Sequence, residues 1–299
     1  MKIFDTFMLL NEIDLLEIRL NILNDYVDYF VISEATHTFT YKYKGLNFEK
    51  YRGRFKKFEN KIIYNIIEDT PENFDNWQPK HEYFTNRNKS YPHKHNGIPL
   101  RKLSLDFQRE VYQRDSIING LLDKASSEDI IICSDLDEIP NPDIIKIAIE
   151  LLDDNNIVHC KQKWFMYYLN NLCDKPWFGT HFCKYKRLLK ESMDLLQYHK
   201  EDIKKLSGGP IIENGGWHFS FLGGQERIKE KLRSYNYQGS KKALLLKFID
   251  LIYKDRIQNM IKRNQDIFMS NRKFTKINID EQFPKYIIEN QHKYRDLII

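Results

Sequence analysis

The apolar and polar positions of the first 67 residues predict strands that alternate with a helix. Residues 3–10 form an apolar run, and residues 12–24 carry apolar side chains at helical spacing with one polar face. Further apolar runs at residues 26–33 and 61–67 predict two more strands. A strand, a helix and a strand within about 30 residues are typical of the crossover unit of a parallel sheet. The N-terminal part is therefore predicted to have an α/β fold.

After an irregular stretch at residues 72–99, the alternation resumes. It predicts a helix over residues 103–122, a strand at residues 130–133, a helix over residues 142–152 and a strand at residues 156–160. The C-terminal part is then helical in period over residues 226–235 and 241–262. We expect a main domain over residues 1–240 and a helical extension over residues 241–299 that packs on it.

Carboxylates follow the predicted strand at residues 130–133 directly. Asp135 and Asp137 are two positions apart, so both can point to one side of an extended backbone, and Glu138 comes next. In a parallel α/β sheet the carboxyl ends of the strands open onto the ligand crevice. This spacing suits a hard divalent cation, which takes oxygen ligands and is shared with substrate phosphates. The alternative is a strand-end turn in which the acids only cap backbone groups.

Two other polar groups lie where a nucleotide could bind. The strand predicted at residues 26–33 runs into Glu34 and Thr36, again at a strand end, although a capped loop would have the same sequence. Arg114 lies on the predicted helix 103–122 and could reach a phosphate. An ion pair at the surface is the alternative for Arg114.

Aromatic residues are concentrated within residues 163–178. In a strand, alternation would aim Trp164 and Tyr168 to the same side, and Trp177 extends the block. Aromatic faces stack on sugar rings, but they also fill protein cores. Both interpretations remain open at this point.

Six of the chain's 12 glycines fall within residues 208–224, around Trp217 and His218. Such a density of glycine indicates close backbone approach or positive φ. A histidine in this setting can add a neutral nitrogen to a cation held mainly by carboxylates. Alternatively, His218 is a core residue bonded to the backbone. In combination with the Asp135 motif, we favour the ligand.

Composition and charge leave few classes of function open. The chain has 299 residues, with 41% hydrophobic and 30% charged residues, as in ordinary globular proteins. A net charge of +5 does not indicate nucleic-acid binding, but it is compatible with a nucleotide diphosphate. The four cysteines form no C-x-x-C pair, which favours a reducing compartment. The first apolar run is too short for a signal peptide or an anchor, so we expect a cytoplasmic protein, peripheral to a membrane at most.

Together these motifs resemble glycosyltransferase family 17. The resemblance rests on the runs Asp-Tyr-Phe-Val-Ile-Ser-Glu at residues 28–34, Gln-Arg-Asp at 113–115, Ser-Asp-Leu-Asp-Glu-Ile-Pro at 134–140 and Gly-Trp-His-Phe-Ser at 216–220. It implies a GT-A type fold, a Rossmann-like mixed sheet flanked by helices. It also implies inverting transfer from a nucleotide sugar to a glycan, and the family includes the enzyme that adds bisecting N-acetylglucosamine to N-glycans. At residues 234–239 the chain reads Ser-Tyr-Asn-Tyr-Gln-Gly, where the family pattern is Ser-x-x-His-x-Glu.

The resemblance implies UDP-N-acetylglucosamine as the donor and Mn²⁺ or Mg²⁺ as the cofactor. The predicted metal ligands are Asp135, Asp137 and His218, and the predicted donor contacts are Asp135, Asp137, Glu34, Thr36, Arg114 and Lys231. The candidates for the general base are Glu213, then Glu138 and Asp174, and the candidates for acceptor binding are Trp164, Tyr168, Trp177 and Trp217.

Two other classes of protein would use the same residues. A metal-dependent phosphoesterase would need a second metal cluster about 3.5–4 Å from the first, and the sequence offers no further strand end rich in Asp and His. A non-catalytic carbohydrate-binding protein would use the aromatic block alone and would not require a nucleotide.

Overall fold

The computed structural model describes residues 1–74, 94–95, 98–99, 102–190, 193, 209–234, 256–268 and 270–299. Three predicted features lie partly or wholly outside the described residues. They are most of the irregular stretch at residues 72–99, residues 235–239, where the sequence differs from the family pattern, and the first part of the predicted helix at residues 241–262.

The described strands are β1 (Ile3–Met8), β2 (Tyr29–Ala35), β3 (Ile62–Ile67), β4 (Lys94–His95), β5 (Ile98–Pro99), β6 (Ile130–Cys133), β7 (Glu138–Pro140), β8 (Val158–Cys160), β9 (Gln162–Met166), β10 (Asn171–Trp177), β11 (His181–Lys184), β12 (Ile211–Ile212), β13 (Gly216–Ser220) and β14 (Phe274–Lys276). The α-helices are α1 (Ile13–Leu23), α2 (Asn47–Tyr51), α3 (Leu105–Asp115), α4 (Ile145–Glu150), α5 (Tyr185–Leu188), α6 (Gly224–Ser234), α7 (Arg256–Lys262) and α8 (Lys285–Glu289). Short 3₁₀ segments cover Arg52–Lys61, Ser116–Gly120, Pro142–Ile144 and Gln291–Leu297.

The main sheet has the strand order β12-β8-β11-β6-β1-β2-β3. The strands from β6 to β3 are parallel, whereas β11 is antiparallel to both of its neighbours. This mixed arrangement confirms the predicted α/β class.

Both faces of the main sheet are covered at β6, which explains why this strand is a continuous apolar run rather than an alternating one. On one face, Leu16 and Leu20 of α1 pack with Ile130 and Ile132 of β6 in one core cluster. On the other face, Ile131 belongs to a second cluster with the apolar residues of the 3₁₀ segment Ser116–Gly120.

A second sheet has the order β14-β10-β9-β13-β7 and begins directly after the Asp135 loop. In this sheet β13 lies between β9, to which it is parallel, and β7, to which it is antiparallel. The register pairs His218 with Glu138 on one side and with Trp164 on the other. The second sheet therefore brings the glycine-rich segment next to the acids at the end of β6.

The described part of the C-terminal tail contains a strand as well as helices, where the prediction was a helical extension. Residues Phe274–Lys276 form β14, because the free edge of β10 offers backbone partners to this segment. Phe283, Ile287 and Leu297 of the tail are buried in the same core cluster as α1. No helix in the described part of the chain is both long and apolar enough to cross a membrane.

Candidate active site

The loop after β6 is held in place by one arginine of α1. Arg19 is fully buried and forms a two-point ion pair with Asp5, at 2.8 Å from Nε to Oδ2 and 2.6 Å from Nη2 to Oδ1. Its Nη1 donates to the carbonyl oxygens of Asp135, Leu136 and Glu138, at 2.8, 3.2 and 3.0 Å. A guanidinium suits this task because its donors are fixed in one plane. Arg19 thus fixes the path of the backbone that carries the acids.

Asp137 and His218 approach each other at the end of this loop. His218 Nε2 lies 3.7 Å from Asp137 Oδ2. Both residues are buried, and the Phe219 backbone N–H donates to the Asp137 carbonyl oxygen at 2.8 Å. Together with Glu138 they form a group whose ligand atoms all lie within 4.8 Å of one another, and no second group of this kind occurs among the described residues.

Gly216 allows β13 to carry His218 into this position. Its φ is +135°, and a Cβ atom there would lie 2.1 Å from the carbonyl oxygen of Ile139. Only glycine tolerates both this conformation and this contact. The glycine-rich pattern therefore marks the close approach of β13 to β7.

Two tryptophans form a wall against the imidazole. Trp177 stacks on His218 with 4.4 Å between ring centroids, and Trp164 stacks on it at 5.7 Å. Trp164 is only 3% exposed, so it packs in the core and has no face open to a sugar. Trp177 is half-buried, and its indole Nε1 donates to Glu138 Oε1 at 2.7 Å. Both side chains therefore support the imidazole, and acceptor binding by Trp177 stays a prediction.

The other two predicted acceptor residues point elsewhere. Neighbouring residues of a strand face opposite sides, so Trp217 points away from the side where His218 lies. Its indole donates to the carbonyl oxygen of Gln282 at 2.9 Å. Tyr168 lies beyond the end of β9, because Tyr167 has a φ of +70° and ends the strand. The side chain of Tyr168 packs on the core cluster around Trp164.

Glu138 holds the loop and the tryptophan wall together. Its Oε2 accepts from the Asp135 backbone N–H at 2.7 Å, while Oε1 accepts from Trp177. A Cβ atom on Gly179 would lie 2.2 Å from the Glu138 carboxyl carbon, so only glycine leaves room for this carboxylate. Both oxygens of this buried carboxylate thus accept hydrogen bonds from within the protein, and its role as the general base stays a prediction.

Replacing Glu138 by glutamine is expected to lower the free energy of unfolding by about 1–3 kcal/mol, because the new amide leaves one of the two buried donors without an acceptor. Urea denaturation followed by tryptophan fluorescence measures this loss. Glu150→Gln, at an exposed ion pair with Lys146, is the matched control and should change stability by less than about 0.5 kcal/mol. Equal stabilities of the two variants would contradict the role assigned to Glu138.

Lys231 of α6 contacts the Asp137 carboxylate. Its Nζ donates to Asp137 Oδ2 at 2.8 Å and lies 3.3 Å from Glu12 Oε1. Burial by itself raises the pKa of Asp137, but the ammonium group of Lys231 and the neighbouring imidazole of His218 outweigh burial and hold that pKa well below its usual range. Asp137 is therefore ionised at neutral pH and is available as a ligand.

A narrow cleft opens beside this cluster at the carboxyl ends of the parallel strands, where α/β sheets bind their ligands. Its lining comprises Met8, Leu9, Leu10, Glu12, Ser33, Ala35, Thr38, Phe39, Lys44, Ile67, Gln113, Asp135, Leu136, Asp137, Lys231 and Ser234. Asp135 is half-buried at the edge of the cleft, and Arg114 Nη2 lies 3.3 Å from its Oδ1. The group of close ligand atoms thus comprises Asp137, Glu138 and His218, whereas Asp135 lines the cleft beside it.

The comparison with family models decides the assignment. The family model described as glycosyltransferase family 17 matches residues 1–91 and 74–298. The chain belongs to glycosyltransferase family 17. No curated protein matches this family 17 glycosyltransferase.

Two residues of this family 17 glycosyltransferase that were predicted to bind the nucleotide make their contacts within the protein. The buried carboxylate of Glu34 accepts from Lys44 Nζ, from the backbone N–H groups of Asn47 and Phe48, and from the Tyr64 hydroxyl. Glu34 thus caps the start of α2, as the alternative interpretation of the sequence stated. The Thr36 hydroxyl bonds to the His37 ring and to the carbonyl oxygen of Ile67.

The predicted bases Glu213 and Asp174 lie away from the cleft of this family 17 glycosyltransferase. Glu213 is in the turn before β13, where its side chain is 70% exposed and pairs with Lys161 at 2.9 Å. Asp174 is exposed on β10 and accepts from the Lys273 backbone N–H at 3.1 Å. Neither residue is among those that line the cleft.

Sequence reasoning missed Arg19 and Glu12. Arg19 lies among the apolar positions of α1. A charged residue at a position where the apolar spacing predicts burial was its signal in the sequence. Glu12 immediately precedes α1 and lines the cleft next to Lys231. Its signal was its place directly after the first strand.

Proposed function

We propose that this glycosyltransferase has a GT-A type fold and transfers N-acetylglucosamine from UDP-N-acetylglucosamine to a glycan hydroxyl, with inversion and with the help of Mn²⁺ or Mg²⁺. The observation that carries the proposal is the 3.7 Å approach of His218 Nε2 to Asp137 Oδ2 beside the cleft. Those two residues are far apart in the sequence, and the cleft lies where parallel α/β sheets bind nucleotides.

The residues of this cluster fit a divalent cation. Two ligand atoms that bind the same ion at about 2.1 Å lie roughly 3–4 Å from each other. The distance from Asp137 Oδ2 to His218 Nε2 falls within this range. One anionic oxygen and one imidazole nitrogen form a donor set that such ions accept. When bound, the ion would neutralise negative charge that develops on the departing diphosphate.

The charged residues of the cleft suit a nucleotide diphosphate. Lys231 reaches the cleft from α6, and Arg114 reaches its edge through Asp135. These two positively charged side chains lie near the proposed metal ion, where the diphosphate would bind. The apolar part of the cleft, formed by Met8, Ala35 and Phe39, would accept the nucleoside.

Uridine diphosphate together with Mn²⁺ is expected to raise the melting temperature, because a ligand at 100 times its Kd stabilises the folded state by about 2.7 kcal/mol. Neither component alone should produce the full shift. In the same preparation, a panel of nucleotide sugars should show metal-dependent release of diphosphate with one donor. Hydrolysis of simple phosphodiesters to a monoester and an alcohol would indicate a phosphoesterase instead. Glycan binding without any nucleotide effect would indicate a binding protein.

A further inference from the structure

Lys231 lies where it would compete with the proposed ion. Its ammonium group contacts Asp137 Oδ2, the same oxygen that is 3.7 Å from His218 Nε2. The Lys231 side chain is 11% exposed, so the contact is largely shielded from water. A divalent ion at Asp137 and an ammonium group on the same oxygen repel each other strongly in such surroundings.

Lys231 has a second acceptor. Glu12 Oε1 lies 3.3 Å from its Nζ, and both residues line the cleft. The helix that carries it is anchored by Ile228 and Leu232, which are buried against the core around Trp164. The ammonium group can therefore leave Asp137 by rotation of its own side chain, while α6 stays in place.

We propose that Lys231 is an internal counter-ion that occupies Asp137 until the donor arrives, and that it then transfers from Asp137 to the diphosphate. This inference rests on the proposed function. Lys231 would then make the ion and the donor bind cooperatively. The ion alone must displace the ammonium group from Asp137, whereas the donor gives that group a new partner. By linkage, the ion strengthens donor binding by the same factor.

The test measures Mn²⁺ affinity by electron paramagnetic resonance, with the ion alone and with added uridine diphosphate. Lys231→Gln is expected to bind Mn²⁺ alone at least about tenfold more tightly than the unmodified protein. Uridine diphosphate should then increase its Mn²⁺ affinity by a smaller factor than in the unmodified protein. A tighter site cannot result from damage to the fold, so the direction of the change distinguishes a counter-ion from a structural residue.

Lys229→Gln is the matched control, because it removes one positive charge from the same helix at an ion pair with Glu226. Its Mn²⁺ affinity should stay within about twofold of the unmodified protein. If the unmodified protein binds Mn²⁺ and Lys231→Gln binds it equally well or more weakly, the counter-ion is refuted while the proposed function stands. If no form binds Mn²⁺ even with uridine diphosphate, the metal-assisted function fails and the inference fails with it.

Discussion

Asp137→Ala is expected to lower kcat/KM for sugar transfer by at least about 1,000-fold, because the site loses the carboxylate that holds the cation against the leaving diphosphate. His218 alone cannot replace it, since a single neutral nitrogen holds a hard divalent ion poorly. The rise in melting temperature with uridine diphosphate and Mn²⁺ should disappear in the same variant. Initial rates and thermal shifts with the donor found in the nucleotide-sugar panel measure both effects.

Glu213→Gln provides the control for the loss of a carboxylate. Glu213 is mostly exposed and pairs with Lys161 on the surface, so its replacement should leave kcat/KM within about twofold of the unmodified enzyme. A folded Asp137→Ala protein that retained activity would contradict the assigned role. A large loss in Glu213→Gln would instead restore Glu213 as the base that the sequence suggested.

Arg19→Ala is expected to reduce the free energy of unfolding by about 3–5 kcal/mol, the cost typical of removing one partner from a buried ion pair. It leaves the fully buried Asp5 carboxylate without its two-point partner and releases three carbonyl oxygens of the Asp135 loop. Chemical denaturation followed by circular dichroism measures the change. Activity should fall as well, because the backbone that carries Asp137 loses its support.

Two further variants test the reason for this loss. Arg52→Ala breaks an exposed pair with Glu49 and should change stability by less than about 0.5 kcal/mol. Asp5→Leu combined with Arg19→Met should be more stable than Arg19→Ala alone, because no charge then stays buried without a partner. Equal losses in Arg19→Ala and Arg52→Ala would show that the buried pair does not hold the loop.

The strands and the acids at their ends could be predicted because they are local signals. Four apolar residues before Asp135 form β6, and the spacing of apolar residues after Glu12 indicates α1, since burial on both faces requires such patterns. The position of His218 was inferred from its glycine-rich setting. The structure explains why glycine is needed there, because β13 approaches β7 closely at Gly216.

Other features depend on pairing between distant segments and could not be predicted. The register of β13 decides that His218 faces Asp137 while Trp217 faces away, and no local pattern sets that register. The hydrogen bond from Trp177 to Glu138 also joins segments that are distant in the sequence. The short strand β14 forms only because the edge of β10 is available to it.

The most direct measurement is a crystal structure with Mn²⁺ and uridine diphosphate, with anomalous diffraction recorded at the manganese edge. We expect one anomalous peak within about 2.3 Å of both Asp137 Oδ2 and His218 Nε2, in contact with the diphosphate in the cleft. Uridine diphosphate bound in the cleft with no anomalous peak between these two residues would contradict it.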